Sequence, residues 1–293
     1  MKILLLIFIT TFSTLSFAST YPILVKSNPF PGSTFFVPND TNQHTSVIML
    51  HGSEGGSNGY INSEASILAT QGYEVLVLCY FDCNRDLTDP RQTLKNVEAT
   101  KVLDAVAWLK TQSQSNSKVV VYGFSRGAEL TMIVGSLTMT DNNRPNALIA
   151  HSPSDVFNFA WNWDWLTPAC WLCKAGVGKC PVNSTYSDYQ WNPSCGPDDT
   201  KLSQSNSAWL ISGTIIPSLT RIEIEKYDGP ILITVGDKDE VWPVDQTKRI
   251  EATLNETGKK PEIHYFANEG HNFTWKAEIT RREMVLDFLK RIP

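Results

Sequence analysis

A run of β-branched residues, Val119-Val120-Val121, passes through Tyr122 into Gly123-Phe124-Ser125-Arg126-Gly127, and from Arg126 to Leu137 the apolar residues recur at helical spacing. Only a tight turn separates the two patterns. A strand that feeds a helix this directly belongs to a βα unit, and the rest of the chain repeats the alternation. Strands are read at Thr45–Leu50, Glu74–Tyr80, Lys118–Tyr122, Ala147–His151, Pro230–Val235 and Glu262–Phe266. Between them, Asp89–Lys110 carries Leu94, Val97, Val102, Ala105, Val106 and Leu109 at helical spacing, and Val244–Thr257 and Ala277–Arg291 read as further helices. The fold class expected is α/β: a mostly parallel sheet with helices on both faces.

One segment breaks the rhythm. Residues 152–219 hold Trp161, Trp163, Trp165, Trp171, Trp191 and Trp209 with Cys170, Cys173, Cys180 and Cys195, amid runs of Pro, Asn and Ser without a clear period. A long insertion of this kind reads as a cap stapled by its cysteines, with most of its Trp forming its own small core and one or two facing a pocket. The opening MKILLLIFITTFSTLSFAST has one Lys, an apolar run and a small-residue site, so residues 1–18 read as a signal peptide and residues 19–293 as one domain. That implies a secreted or periplasmic protein.

Six cysteines follow the leader, at 79, 83, 170, 173, 180 and 195, and an even count in an exported chain points to disulfides. Cys170-x-x-Cys173 raises a metal as the alternative, but the next intervals fit no regular zinc pattern, and no metal is expected. The pairing among the last four stays open. Lys and Arg number 25 against 30 Asp and Glu, a net charge of −5, with no basic block, so nucleic acid is not an expected partner. Beyond the leader no apolar run reaches the length of a membrane span.

The Gly-x-Ser-x-Gly turn raises a chemical question. A serine hydroxyl attacks only with a base in hydrogen-bond reach, a group that orients the base, and donors for the developing oxyanion. Ser125 is the candidate nucleophile, because the strand before it and the helix after it supply the context the motif requires. For the acid, the strand Ile231–Val235 runs into Gly236-Asp237-Lys238-Asp239-Glu240-Val241-Trp242-Pro243. Asp239 is preferred there, and Asp237 reads as a turn-forming residue. For the base, His271 is the histidine past a final strand and before the last helix, whereas His264 alternates within a strand. For the oxyanion, Thr45–Leu50 ends in His51-Gly52-Ser53-Glu54-Gly55-Gly56, so the backbone N–H of Ser53 or Glu54 and that of Arg126 are the candidate donors. His51 reads as a support of this loop. A phosphate loop is the rival reading of these glycines, but no Gly-Lys-Ser/Thr follows.

The order Ser125, Asp239, His271 resembles that of the α/β-hydrolase superfamily over nearly all of the mature sequence. Gly123–Leu130, Ile224–Leu232 and Gly236–Pro243 are similar to the catalytic domain of bile acid-CoA:amino acid N-acyltransferases and acyl-CoA thioesterases, with dienelactone hydrolases as close cousins. The resemblance implies Ser125, Asp239 and His271 as a catalytic triad that acts on a small ester or thioester without a cofactor. The N-terminal sandwich domain of those acyl-CoA enzymes has no counterpart before the first strands, and the Trp/Cys-rich segment is unlike the family. Export argues against a CoA thioester. The expectation is therefore a secreted serine hydrolase of carboxylic esters. The alternatives are a thioesterase, acyltransferase or peptidase on the same residues, and a catalytically silent binding protein.

Overall fold

The structure, a computed structural model, describes residues 21–56, 59–83, 94–160, 171–173, 189–191 and 207–293. In chain order these residues form β1 (Ile23–Lys26), β2 (Thr34–Pro38), β3 (His44–Leu50), α1 (Gly59–Thr70), β4 (Glu74–Leu78), β5 (Val97–Glu98), α2 (Lys101–Lys110), β6 (Ser115–Phe124), α3 (Arg126–Ser136) and β7 (Ala147–His151). There follow β8 (Trp171–Cys173), β9 (Tyr189–Trp191), β10 (Trp209–Ile211), β11 (Thr214–Ile215), β12 (Ile231–Gly236), α4 (Val244–Glu256), β13 (Glu262–Phe266) and α5 (Trp275–Lys290). Eight strands make the main sheet in the order β1-β2-β4-β3-β6-β7-β12-β13. From β4 to β13 every pairing is parallel, and β2 and β1 extend that edge antiparallel.

The pleat explains why the central strands are apolar throughout. Successive side chains point to opposite faces, and both faces are covered. Val47 and Met49 of β3, Val75 and Val77 of β4, and Val120 and Tyr122 of β6 join one core with Ile61 and Leu68 of α1 and Val285 and Phe288 of α5. Ile48, Leu50, Leu76, Leu78, Val119 and Val121 join the other with residues of α2 and α3, including Val102, Val106, Leu130 and Ile133. On the first face a buried cation is packed in as well. Arg281 of α5 stands 4.9 Å from the Phe124 ring, bonds the Tyr122 hydroxyl and pairs with Glu278 at 2.5 Å and Glu64 at 3.6 Å.

Two expectations need correction. The helix read over Asp89–Lys110 begins only at Lys101. Asn96 stands at φ 53, and Val97–Glu98 forms β5, parallel to β10, with Val97 N–H on the Ala208 carbonyl and Ala99 N–H on that of Leu210. Pairing with a distant strand overrides the local period there; residues 84–93 lie outside the described residues. Trp209 does not belong to a separate core of the 152–219 segment. It is fully buried in the main core, with Phe157 and Ala208, so both ends of that segment are part of the body of the domain. Farther in, β8 and β9 pair antiparallel.

Trp161, Trp163, Trp165, Cys170, Cys180, Cys195 and the proposed leader 1–18 lie outside the described residues, and of Trp171, Cys173 and Trp191 only the backbone is described. Cys79 and Cys83 are joined in a disulfide. Among the described residues no helix is long and apolar enough to cross a membrane.

The junction of β6 and α3 leaves no room for side chains. A Cβ at Gly123 would lie 2.0 Å from the Gly127 carbonyl oxygen, and one at Gly127 would lie 2.2 Å from that of Leu50. Because those neighbours are backbone, they cannot yield without moving strands. We therefore expect G123A to cost about 3 kcal/mol or more, lowering the thermal midpoint by roughly 10 °C. A midpoint within about 2 °C of the parent would contradict this close packing.

Candidate active site

Ser125 sits between β6 and α3 at φ 52, ψ −115, a conformation rare for a residue with a side chain. Its N–H is held by the His151 carbonyl at 3.0 Å, and its own carbonyl accepts the Glu129 N–H at 2.9 Å. The turn thus projects the hydroxyl at the carboxyl edge of the sheet, where the loops after β3, β12 and β13 converge. Ser125 Oγ lies 3.0 Å from His271 Nε2, and His271 Nδ1 lies 2.9 Å from Asp239 Oδ2 and 3.0 Å from Oδ1. The three residues singled out from sequence therefore form one hydrogen-bonded line.

Each partner is fixed by its own loop. The Asp239 side chain is fully buried and accepts the backbone N–H of Val241 at 2.9 Å and of Trp242 at 2.8 Å. Burial pushes its carboxyl up in pKa, but the bonds from His271, Trp242 and Val241 outweigh that and hold it below the ordinary value. Asp237 has the turn role expected of it, accepting the Asn268 N–H at 2.7 Å and so tying the acid loop to the base loop. Glu240 accepts the His271 N–H at 3.1 Å.

The loop after β3 passes close to Ser125: a Cβ at Gly52 would lie 3.3 Å from Ser125 Cβ. Gly52, next in sequence before the candidate donors Ser53 and Glu54, thus stands beside the nucleophile, while Arg126 opens α3, where first-turn N–H groups lack intrahelical acceptors. The Glu54 carboxylate folds back to take the Gly52 N–H at 2.9 Å. A short disulfide loop braces the other side. Between Cys79 and Cys83, Tyr80 donates its hydroxyl to the His51 carbonyl at 2.7 Å and stacks on the His51 ring at 4.1 Å, and the Phe81 carbonyl accepts the Gly56 N–H at 3.1 Å. His51 thus supports the loop. Burial drives its pKa down and favours the neutral ring.

Several residues escaped sequence reasoning. The Trp242 indole N–H donates to Ser125 Oγ at 3.3 Å. Glu129, fully buried, takes Arg126 Nη1 at 2.9 Å, the Asn158 N–H at 2.7 Å and Trp209 Nε1 at 2.5 Å, locking the first turn of α3 to the core. His151 lies at the end of β7, its Nδ1 3.0 Å from the Thr234 hydroxyl. Its place at a strand's carboxyl end was the available signal. Among the described residues no cluster of three or more His, Cys, Asp or Glu has the geometry of a metal site.

The model of the prolyl oligopeptidase family matches residues 85–292. The chain is 28% identical to acyl-coenzyme A thioesterase 6 of Mus musculus over 244 residues, 82% of this chain and 51% of that protein. It spans about half the length of the curated relatives it matches. Among solved structures it is similar to a putative dienelactone hydrolase from Klebsiella pneumoniae, at 14% identity and a TM-score of 0.57, covering 92% of this chain and 98% of that one. It is also similar to a puromycin-hydrolyzing peptidase of Mycobacterium tuberculosis, at 15% identity and a TM-score of 0.56, covering 94% and 40%. These likenesses show the α/β-hydrolase fold.

One consequence of the site's burial is open to titration. Burial, and then the neighbouring His271 ring, pull the His151 pKa down to about 4. From the ordinary value near 6.5 down to about 4 the unfolded chain takes up a proton there that the folded chain refuses, so this group's share of stability is lost as pH falls through that window. In an NMR titration the His151 ring should stay neutral at pH 5.5; protonation near 6.5 would contradict the buried placement.

Proposed function

The chain belongs to the prolyl oligopeptidase family, and from that premise we propose that it is an exported serine hydrolase that cleaves carboxylic esters through an acyl-enzyme on Ser125. One observation carries the reading: His271 is within hydrogen-bond reach of both Ser125 Oγ and the buried Asp239 carboxylate. His271 Nε2 takes the hydroxyl proton as Oγ attacks the ester carbon. Asp239 holds the Nδ1–H tautomer and stabilises the imidazolium that forms. The oxyanion is received by the backbone N–H groups of Ser53 or Glu54 and of Arg126, at the positive end of α3. Collapse expels the alcohol with the proton from His271, and water, activated by the same ring, releases the acid.

The Glu54 carboxylate bears on the substrate. Its Oε2 would lie 2.5 Å from a Cβ at Gly52, itself 3.3 Å from Ser125 Cβ, so the negative charge stands close to the nucleophile. An uncharged ester is favoured over a polyanion such as a CoA thioester. The leader-like N-terminus and the Cys79–Cys83 bridge support export, where such a bridge persists. A second reading, cleavage of an amide on the same residues, draws on the family match and the likeness to the puromycin-hydrolyzing peptidase.

With 4-nitrophenyl butyrate as substrate, S125A and H271A should fall to background and D239N should lose about 10³- to 10⁴-fold in kcat. A parent-like rate in S125A would overturn the proposal. Comparing neutral and anionic esters of one acyl group, E54Q should raise kcat/KM for the anionic ester by about threefold or more relative to the neutral one. An unchanged ratio would remove Glu54 from substrate selection. Parallel amide substrates decide between the two readings by product analysis.

A further inference from the structure

Ser125 Oγ has a second polar neighbour besides His271. The indole N–H of Trp242, on the loop that carries Asp239, donates to it at 3.3 Å. The backbone N–H of the same residue donates to Asp239 Oδ1 at 2.8 Å. Trp242 thus donates at both ends of the line that runs from the nucleophile through His271 to the acid.

An indole N–H gives a hydrogen bond and accepts none, so its direction is fixed and Oγ is the acceptor. With a lone pair of Oγ engaged there, the hydroxyl's own proton is left for His271 Nε2 at 3.0 Å. The ring cannot easily turn away. Trp242 is buried, and the Arg126 guanidinium stands 5.2 Å from its ring centroid, itself held by the buried Glu129 carboxylate at 2.9 Å. A buried Trp ordinarily finds a partner for its N–H, but here a partner is the oxygen that reacts.

We propose that Trp242 is a catalytic residue: its indole N–H holds Ser125 Oγ with the hydroxyl proton aimed at His271 and stabilises the negative charge that Oγ carries as that proton leaves. The proposal rests on the reading of Ser125 as the nucleophile, which it deepens. As Oγ attacks, its proton passes to His271 Nε2, the bond from Oγ to the ester carbon forms, and the carbonyl π pair moves onto the carbonyl oxygen. When water releases the acid, that bond breaks, and Oγ takes back its electron pair and then the proton from His271. In both steps the charge on Oγ develops opposite the indole N–H. At 3.3 Å the bond to the neutral hydroxyl is long for N–H···O, whereas a bond to a charged oxygen is shorter and about twice as strong. A contact that strengthens between ground state and transition state speeds the reaction.

Trp242→3-benzothienylalanine replaces the indole N–H by sulfur and keeps the shape of the ring and the backbone bond to Asp239; W242F removes the N–H with a smaller ring. Two measurements read the result, the second-order rate constant for fluorophosphonate labelling of Ser125 and the titration of His271 by NMR. In the benzothienyl protein, labelling and kcat for 4-nitrophenyl butyrate should each fall about 10- to 100-fold with KM within about twofold, the loss expected for a hydrogen bond to a charged group. The His271 titration should stay in place, because the acid keeps its backbone donors. W242F should move the rates in the same direction.

A benzothienyl protein that labels within about twofold of the parent rate would overturn the proposal. So would a slow one whose His271 titration has moved, since that would assign the ring to propping the acid loop. A wild type that takes no label would sink the reading of Ser125 as nucleophile, and this proposal with it; a labelled wild type matched by the benzothienyl protein would sink the proposal alone.

Discussion

Ser125 is held at a backbone angle that a residue with a side chain seldom adopts, a conformation that costs on the order of 1–3 kcal/mol wherever it occurs. It persists because the surrounding backbone leaves no alternative. Gly127 presses on the Leu50 and His51 carbonyls, Gly123 presses on Gly127, and the His151 carbonyl draws in the Ser125 N–H. β3, β6, β7 and α3 thus meet at one turn, and each makes its contact only if the others are in register. The hydroxyl's position follows from the packing of the sheet's centre.

Around that turn the other loops are tied to one another as much as to the sheet. Asp237 bonds the Asn268 N–H, Lys238 N–H bonds the Glu269 carbonyl at 2.9 Å, and Glu240 bonds the His271 N–H, so the segments carrying acid and base form a single unit. On the opposite side the Cys79–Cys83 loop braces His51 and Gly56 through Tyr80 and Phe81. The Glu54 carboxylate takes the Gly52 N–H, and the Glu129 carboxylate pairs with Arg126 in the core. Backbone N–H groups fixed in advance by such supports stabilise negative charge that develops in a reaction without reorganising.

The central strands were legible because they are buried on both faces and hence apolar without a break, as in Val119-Val120-Val121 and Ile231-Leu232-Ile233. Ser125, Asp239 and His271 were legible because a strand's end and a chain order restrict where such residues stand. The edge strands β1 and β2 and helix α1 were not read. Ile23–Lys26 is mostly exposed, Thr34–Pro38 ends in a proline, and Gly59–Thr70 carries Asn62, Ser63, Glu64 and Ser66 among its apolar residues. The reading of Val97 and Glu98 as helical and the misplacement of Trp209 share one cause: β5 and β10 pair across more than a hundred residues of sequence, a contact with no local signature. His151 and Glu129 were missed for a related reason. Each looks like an ordinary strand or helix residue until its long-range partners are in place.

The claim on which everything else turns is that Ser125 is the nucleophile. Treatment with a fluorophosphonate, followed by intact mass measurement and peptide mapping, tests it without knowledge of the substrate. The account predicts one adduct per chain, on the peptide carrying Ser125, formed slowly or not at all when His271 is replaced. An adduct on another serine, or a wild-type protein that stays unmodified, would contradict it.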